Sequence, residues 1–175
     1  AGEIAGGVAE FAPAAAGDVA GAMVEANPEA AIEMATAMAE ANPLAAGAAM
    51  GAMAEAAPEI ATGAAAAMAE ANPDAAGFAA QSMADAVPEL AAEAATAMME
   101  VAPDSAGAIA GGVARGDADI AAQVATDMVN ANPELMGDIA GGVAQMAPGA
   151  AGDVAGAMVE ANPDGAADMA ATIAE

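Results

Sequence analysis

Apolar residues recur along the chain at the spacing of an α-helix, in short segments that mostly begin at a proline. In residues 28–42, for example, Ala31, Met34, Ala35 and Met38 share one side of a helix. The corresponding positions are apolar in the other segments, and acidic residues fall mainly between them. The pattern predicts a series of short amphipathic helices.

All ten prolines lie on one grid with an interval of fifteen residues. The grid runs from Pro13 to Pro103, holds Ala118 at the next position, and continues from Pro133 to Pro163. Each proline inside a helix costs roughly 3 kcal/mol, which excludes one continuous rod. Each proline is therefore predicted to be position 1 of a fifteen-residue unit, with about thirteen residues of helix and about two of turn.

Half of the prolines follow an asparagine, a residue that commonly caps helix N-termini: Asn27, Asn42, Asn72, Asn132 and Asn162. An extended asparagine accepts amide hydrogens of the first helical turn, while the proline that follows it supplies a preset φ angle at the first helical position. Where Ala118 replaces proline, Asp117 is expected to act as the cap. Each unit boundary is thus predicted to be a helix start.

Connections this short predict that consecutive helices lie side by side and antiparallel. Alanine fills positions 4 and 8 of nearly every unit, so we expect a thin core. The sequence therefore predicts an all-α, two-layer α-solenoid with one short helix per 15-residue repeat, about twelve helices, and a core rich in Ala, Gly and Met. In architecture it resembles α-solenoids such as TPR and HEAT arrays, although none of their signature residues is present.

Two longer periods are superimposed on this one. Glycines at positions 5 and 9 mark alternate units, which predicts one glycine-bearing face and one face with threonine and more glutamate. Residues 1–40 align without gaps with residues 136–175, and the stretch GDVAGAMVEANP is repeated unchanged. We expect residues 1–175 to be a single repeat array and a segment of a longer repeat protein.

Composition argues against catalysis. The chain has no His, Cys, Trp or Tyr, its only basic residue is Arg115, and its only serines are Ser82 and Ser105. The usual general bases, nucleophiles and zinc ligands are therefore missing, so we expect neither enzymatic activity nor a bound organic cofactor. A net charge of −25 predicts no binding to nucleic acid, and helices this short and acidic predict no membrane insertion.

Six turns carry two acids, one at position 13 of a unit and one at position 2 of the next. The pairs are Glu25 and Glu29, Glu55 and Glu59, Glu70 and Asp74, Asp85 and Glu89, Glu100 and Asp104, and Glu160 and Asp164. One interpretation is a solvated edge in a protein adapted to salt. The alternative is a row of weak Ca²⁺ or Mg²⁺ sites, because hard cations prefer oxygen ligands.

Glycines at positions 5 and 9 are the candidates for helix packing or self-association. They are Gly17 and Gly21, Gly47 and Gly51, Gly107 and Gly111, Gly137 and Gly141, and Gly152 and Gly156. Facing inward, they would let neighbouring helices approach closely. Facing outward near Ala14, Ala48, Phe78 and Ala108, they would form a weakly charged strip suited to lateral self-association.

The tripeptide Arg115-Gly116-Asp117 matches a cell-attachment sequence and is expected to lie in a turn. Gly116 has a plainer interpretation as a left-handed residue that ends one helix before Asp117 caps the next. The methionines also allow two interpretations, copper ligation and core packing. Ten of the fourteen occupy positions 7 and 11 of the apolar stripe, which favours core packing.

These features predict a non-enzymatic structural module, either a spacer or a lateral self-assembly segment of a large surface or filament-forming protein. Its partners would be copies of itself or neighbouring repeats, its location extracellular or at the cell surface, and its stability raised by divalent cations or high salt. A first alternative is binding to ice or mineral through the flat column of Thr36, Thr96 and Thr126. A second is a peptide-binding solenoid, which the shortage of aromatic and arginine anchors weakens.

Overall fold

The chain folds into a row of short α-helices, as a computed structural model that describes residues 1–173 shows. Twelve helices and no strand lie in that range. Their bounds are α1 Gly2–Phe11, α2 Ala16–Ala26, α3 Ala31–Ala41, α4 Pro43–Ala56, α5 Pro58–Ala71, α6 Ala76–Ala86, α7 Pro88–Val101, α8 Ala106–Gly116, α9 Ala118–Ala131, α10 Met136–Met146, α11 Ala151–Ala161 and α12 Ala166–Ile173. The predicted all-α array with one helix per repeat is confirmed.

The connections are shorter than the sequence predicted. A single residue separates most helical segments from the next, whereas Ala147 and a turn over residues 148–150 separate α10 from α11. In six units a 3₁₀ turn that begins at the proline precedes the α-helix. At Asn72, for example, the N–H donates to the Met68 carbonyl at 2.9 Å, and the carbonyl accepts from the Ala75 N–H at 3.0 Å. One residue therefore pairs with a free carbonyl group at the end of one helix and with a free N–H group at the start of the next.

Side-chain capping is confirmed at four of the six expected positions. Asn42, Asn72, Asn132 and Asp117 each accept a backbone N–H of the following turn. Asn27 and Asn162 make no such bond. The sequence did not predict a second role: the amide of Asn72 also donates to the Ala39 carbonyl of α3 at 3.0 Å, which ties α5 to its neighbour.

Each helix packs most closely on the helix two places along the chain. The even-numbered helices α2 to α12 form one layer and the odd-numbered helices α1 to α11 form the other, and consecutive helices run antiparallel. Within a layer, hydrogen bonds join residues 31 to 34 positions apart, as in the bonds from the Gly2 N–H to Glu33 and from the Ser82 hydroxyl to the Ala48 carbonyl. Neighbours in a layer are therefore parallel.

The core lies between the two layers and consists mainly of alanine and methionine. No polar or charged residue is buried in the part of the chain that the structure describes. The predicted positions 4, 7, 8 and 11 are buried in the interior helices, but so is position 12, as at Val24, Met99 and Val129. The buried stripe is wider than predicted because an interior helix contacts the opposite layer and also a neighbour on each side.

Candidate interaction surfaces

The glycines of α4 and α8 face the next helix of their own layer. A Cβ added at Gly47 would lie 2.9 Å from the Ala79 nitrogen, and one at Gly107 would lie 2.6 Å from the Asp138 carbonyl oxygen. At Gly51 and Gly111 the nearest atoms would be 2.6 to 2.7 Å away, again on the following helix. Helix backbones therefore meet directly here, and a methyl group does not fit.

The candidate glycines of α2 and α11 have more room. A Cβ at Gly17 would meet nothing closer than 3.9 Å, and one at Gly21 nothing closer than 3.3 Å. Gly152 and Gly156 in α11 have nothing within 4 Å. Gly137 and Gly141 are half-buried in α10. The ten candidates are thus not equivalent: those of α4 and α8 hold two helices together, whereas those of α11 have open space around them.

The tightest contacts involve glycines that the sequence pattern did not single out. A Cβ at Gly142 would overlap the carbonyl group of Gly107, and one at Gly112 would overlap the carbonyl of Gly77. Both residues occupy position 10, and their partners occupy position 5 of the preceding helix in the layer. The pattern of two glycines four residues apart identifies Gly107 but not Gly77, Gly112 or Gly142, because each of these contacts joins glycines of two different helices.

Two expectations about the Arg115-Gly116-Asp117 tripeptide are wrong. Arg115 and Gly116 are the last two residues of α8, so only Asp117 lies in the connection. Within residues 1–173 no glycine or other residue has a positive φ angle, which excludes the left-handed interpretation of Gly116. Instead, a Cβ at Gly116 would overlap the carbonyl of Gln81 and lie 3.0 Å from the Ala84 Cβ. Gly116 is there because α6 and α8 approach closely.

An uncharged ridge runs over the outer face of the glycine-bearing layer, and we call it the Phe78 ridge. It consists of the exposed residues Leu44, Ala48, Phe78 and Ala108 on α4, α6 and α8. The side chains of Leu44 and Phe78 are 57% and 39% exposed. Shallow grooves of about 350 and 300 Å³ border Phe78; the first also contains Asp85 and Arg115, and the second contains Asp74 and Asp104.

The opposite layer presents a more acidic ridge at the corresponding positions. Glu33 and Glu93 are exposed on α3 and α7, with Gly63 on α5 and Gln123 on α9. The thirty-residue alternation therefore separates a nearly neutral central face from an acidic one. This difference between the two faces is the main chemical asymmetry of the array.

All twelve acids of the paired turns are exposed. Connections alternate between the two edges of the array, so the pairs at Glu25, Glu55 and Asp85 share one edge with their position-2 partners. The pairs at Glu70, Glu100 and Glu160 lie on the other edge. Among residues 1–173, no group of three or more acidic, His or Cys side chains is arranged to hold a metal ion. The interpretation as weak Ca²⁺ or Mg²⁺ sites stays a hypothesis, as does the solvated edge.

The threonine column lies in the odd-numbered layer. Thr36, Thr96 and Thr126 are half-buried on α3, α7 and α9, and Ala66 interrupts the column on α5. The hydroxyl groups of Thr36 and Thr96 each donate to the carbonyl four residues earlier in their own helix, at 3.0 Å. These protons are therefore used within the helix, and ice or mineral binding through this column stays a prediction.

None of the helices between residues 1 and 173 has the length and apolar composition needed to cross a bilayer. The methionines at positions 7 and 11 lie in the core, except for Met23, which is half-buried. Comparison of the chain with protein-family models, with curated proteins and with solved structures finds no match.

Proposed function

We propose that this chain is a non-enzymatic structural repeat module whose copies associate laterally through the Phe78 ridge. The observation that carries the proposal is the near absence of charge along this ridge in a chain of net charge −25. Exposed apolar groups that lie together, with polar groups around them, are typical of surfaces that bind another protein.

Electrostatics favours this face over the others. Both turn edges and the ridge of the odd-numbered layer carry exposed carboxylates, so contact between copies there brings like charges together. On the Phe78 ridge the nearest charges at position 6 are Asp18 on α2 and Asp138 on α10, at the two ends of the ridge. Two copies that meet along the ridge keep most of their acids in water.

Salt should regulate this association. The Debye length falls from about 10 Å at 0.1 M to about 3 Å at 1 M ionic strength, which removes most of the repulsion between distant carboxylates. The apolar contact is not weakened by the same change. A long surface or filament-forming protein in a salty extracellular medium is therefore the setting that we propose for this module, and divalent cations would act in the same direction by binding diffusely along the turns.

The proposal is tested by placing a charge on the ridge. Phe78→Asp keeps the Cβ that packs against Gly47 and adds a carboxylate in the centre of the ridge, so it should weaken lateral association at least tenfold. Ile32→Asp is the matched control, because Ile32 is 47% exposed on the opposite layer. Sedimentation velocity at rising NaCl concentration measures the association of both variants and of the unchanged chain. Equal association by Phe78→Asp and the unchanged chain would overturn the proposal.

A further inference from the structure

Three positions of each repeat unit lie on the outer face of the glycine-bearing layer, and in the units of α4, α6 and α8 they form a grid around Phe78. Positions 2, 6 and 13 are separated by four and seven residues, so they share one side of a helix. All nine residues of the grid are exposed: Leu44, Ala48 and Glu55 in the unit of α4, Asp74, Phe78 and Asp85 in that of α6, and Asp104, Ala108 and Arg115 in that of α8. Because neighbours in the layer are parallel, position 2 forms one edge of the grid and position 13 the other.

The exposure of this grid does not depend on the ends of the sequence. Helices α4, α6 and α8 each pack between two neighbours of their own layer, in the series from α2 to α10. Helices added to either end of the stack would lie beside this layer and not over its outer face. Only a separate surface can cover the grid.

Arg115 gives the grid its one positive charge. Position 13 holds Glu, Asp, Asn or Gln in every other unit, so Arg115 reverses the usual character of this position. It is the only basic side chain of the chain, and it forms no ion pair within the part that the structure describes, although Asp85 lines the same groove. The guanidinium group is therefore open to a carboxylate of another molecule, to which it can donate two parallel hydrogen bonds.

The two grooves that border Phe78 differ in charge. One contains Arg115 and Asp85 at position 13, and the other contains Asp74 and Asp104 at position 2. A second copy that lies face to face with the first, related to it by a two-fold axis along the array, places the position-13 edge of each copy over the position-2 edge of the other. The groove with the cation then faces the groove that has acids alone.

We propose that the Phe78 ridge binds a second copy of the chain in this orientation, with Arg115 of each copy paired with Asp104 of the other. Charge complementarity between the two grooves identifies the occupant. Each Glu55 lies over the apolar Leu44 of the other copy, and both Phe78 side chains lie close to the axis. The inference rests on the proposed lateral association and adds its orientation and the residue that determines it.

Electrostatics disfavours the other two-fold arrangement, in which the axis runs along the helices. Arg115 would then face Glu55 of the other copy, but each edge would face itself, so Asp74 and Asp104 of both copies would lie together. The C-terminal ends of facing helices, which carry partial negative charge, would also meet. With the axis along the array, each C-terminal end meets an N-terminal end, and within the grid only Asp85 and Asp74 bring like charges together.

The first test removes the positive charge. Arg115→Gln should weaken association about tenfold at about 0.15 M NaCl and much less at about 1 M, where the ion pair is screened. Asn130→Asp is the matched control, because it makes the same change in net charge at position 13 of α9, exposed in the opposite layer. Sedimentation velocity measures the association of both variants and of the unchanged chain. Equal association by the two variants would overturn the pairing.

The second test mixes two charge reversals. Arg115→Glu sets two acids opposite each other and Asp104→Arg sets two arginines opposite each other, so each variant alone should associate at least tenfold more weakly than the unchanged chain. This holds for Asp104→Arg although it lowers the net negative charge. An equimolar mixture should recover association, because the new glutamate meets the new arginine at one site and the native pair forms at the other.

Recovery in the mixture can only come from contact between copies, since residues 104 and 115 are about 16 Å apart along α8. A mixture that associates as weakly as either variant alone would overturn the pairing. Full recovery of Arg115→Glu by Glu55→Arg, with none by Asp104→Arg, would overturn the orientation. Far-UV circular dichroism checks that each variant keeps its helices.

Phe78→Asp separates a failure of the pairing from a failure of the ridge. If Phe78→Asp weakens association while Arg115→Gln behaves as Asn130→Asp does, the pairing is overturned and the ridge is supported. If Phe78→Asp associates as the unchanged chain does, the ridge is overturned and the pairing with it. Weakening by both Phe78→Asp and Arg115→Gln, together with recovery in the mixture, supports both.

Discussion

Gly142→Ala should destabilise the chain by about 2 to 3 kcal/mol, whereas Gly7→Ala should stabilise it by up to about 1 kcal/mol. The two glycines are counterparts in nearly identical segments, GDIAGGVA and GEIAGGVA. A Cβ at Gly142 would overlap the Gly107 carbonyl and lie 2.5 Å from the Gly107 Cα, so α8 and α10 must separate. A Cβ at Gly7 meets nothing within 4 Å, so only the helix propensity of alanine remains.

Urea unfolding followed by far-UV circular dichroism measures both effects. The measurement is made at low protein concentration, so that association between copies does not contribute to the free energy of unfolding. A lower free energy of unfolding for Gly142→Ala together with a higher one for Gly7→Ala would show that close packing of backbones, and not glycine content, determines the stability of this layer. Stabilisation by both substitutions would mean that α8 and α10 are not in direct backbone contact.

Met68→Ala should lower the free energy of unfolding by about 2 to 5 kcal/mol, and Met23→Ala should lower it by less than half as much. Both methionines occupy position 11, but Met68 is fully buried in α5, in the interior of the array, whereas Met23 is half-buried at the start of its layer. Alanine fills most of the remaining core, so the surrounding side chains are too small to fill the cavity that Met68 leaves.

The Met68 variant should also unfold in more than one step. Each helix contacts only near neighbours, so stability adds up along the array, and a weak helix near the middle separates two segments. Calorimetry and urea unfolding should therefore show a broadened or split transition for Met68→Ala and a single shifted transition for Met23→Ala. A single sharp transition in both would indicate one cooperative core instead of an additive array.

The sequence predicted the array because its main determinants are local. A proline every fifteen residues starts each helix, and the apolar stripe between prolines gives each helix one buried side. Short connections then leave few ways to arrange consecutive helices, and two layers follow. The caps at Asn42, Asn72, Asn132 and Asp117 are likewise local, since they depend on residues within three positions.

The contacts between neighbouring helices could not be predicted, because they depend on register. The two glycines that meet, Gly107 and Gly142, are 35 positions apart, and the 30-residue period does not reveal this pairing. Likewise, the amide of Asn42 reaches the Ala9 carbonyl of α1, 33 positions earlier in the chain, at 3.1 Å. Burial at position 12 was not predicted. Alanine usually occupies this position, so the residue type does not indicate that a third neighbouring helix covers it.

The central claim is that the chain forms a linear two-layer stack, and distances between spin labels along one edge test it most directly. The chain has no cysteine, so a label can be attached at Glu25→Cys in pairwise combination with Asp85→Cys, Arg115→Cys or Gln145→Cys. These exposed positions belong to α2, α6, α8 and α10 of one layer. Pulsed electron paramagnetic resonance should give distances that increase steadily, near roughly 18, 27 and 36 Å at about 9 Å per helix. Distances that stop increasing after the first pair would contradict a linear stack.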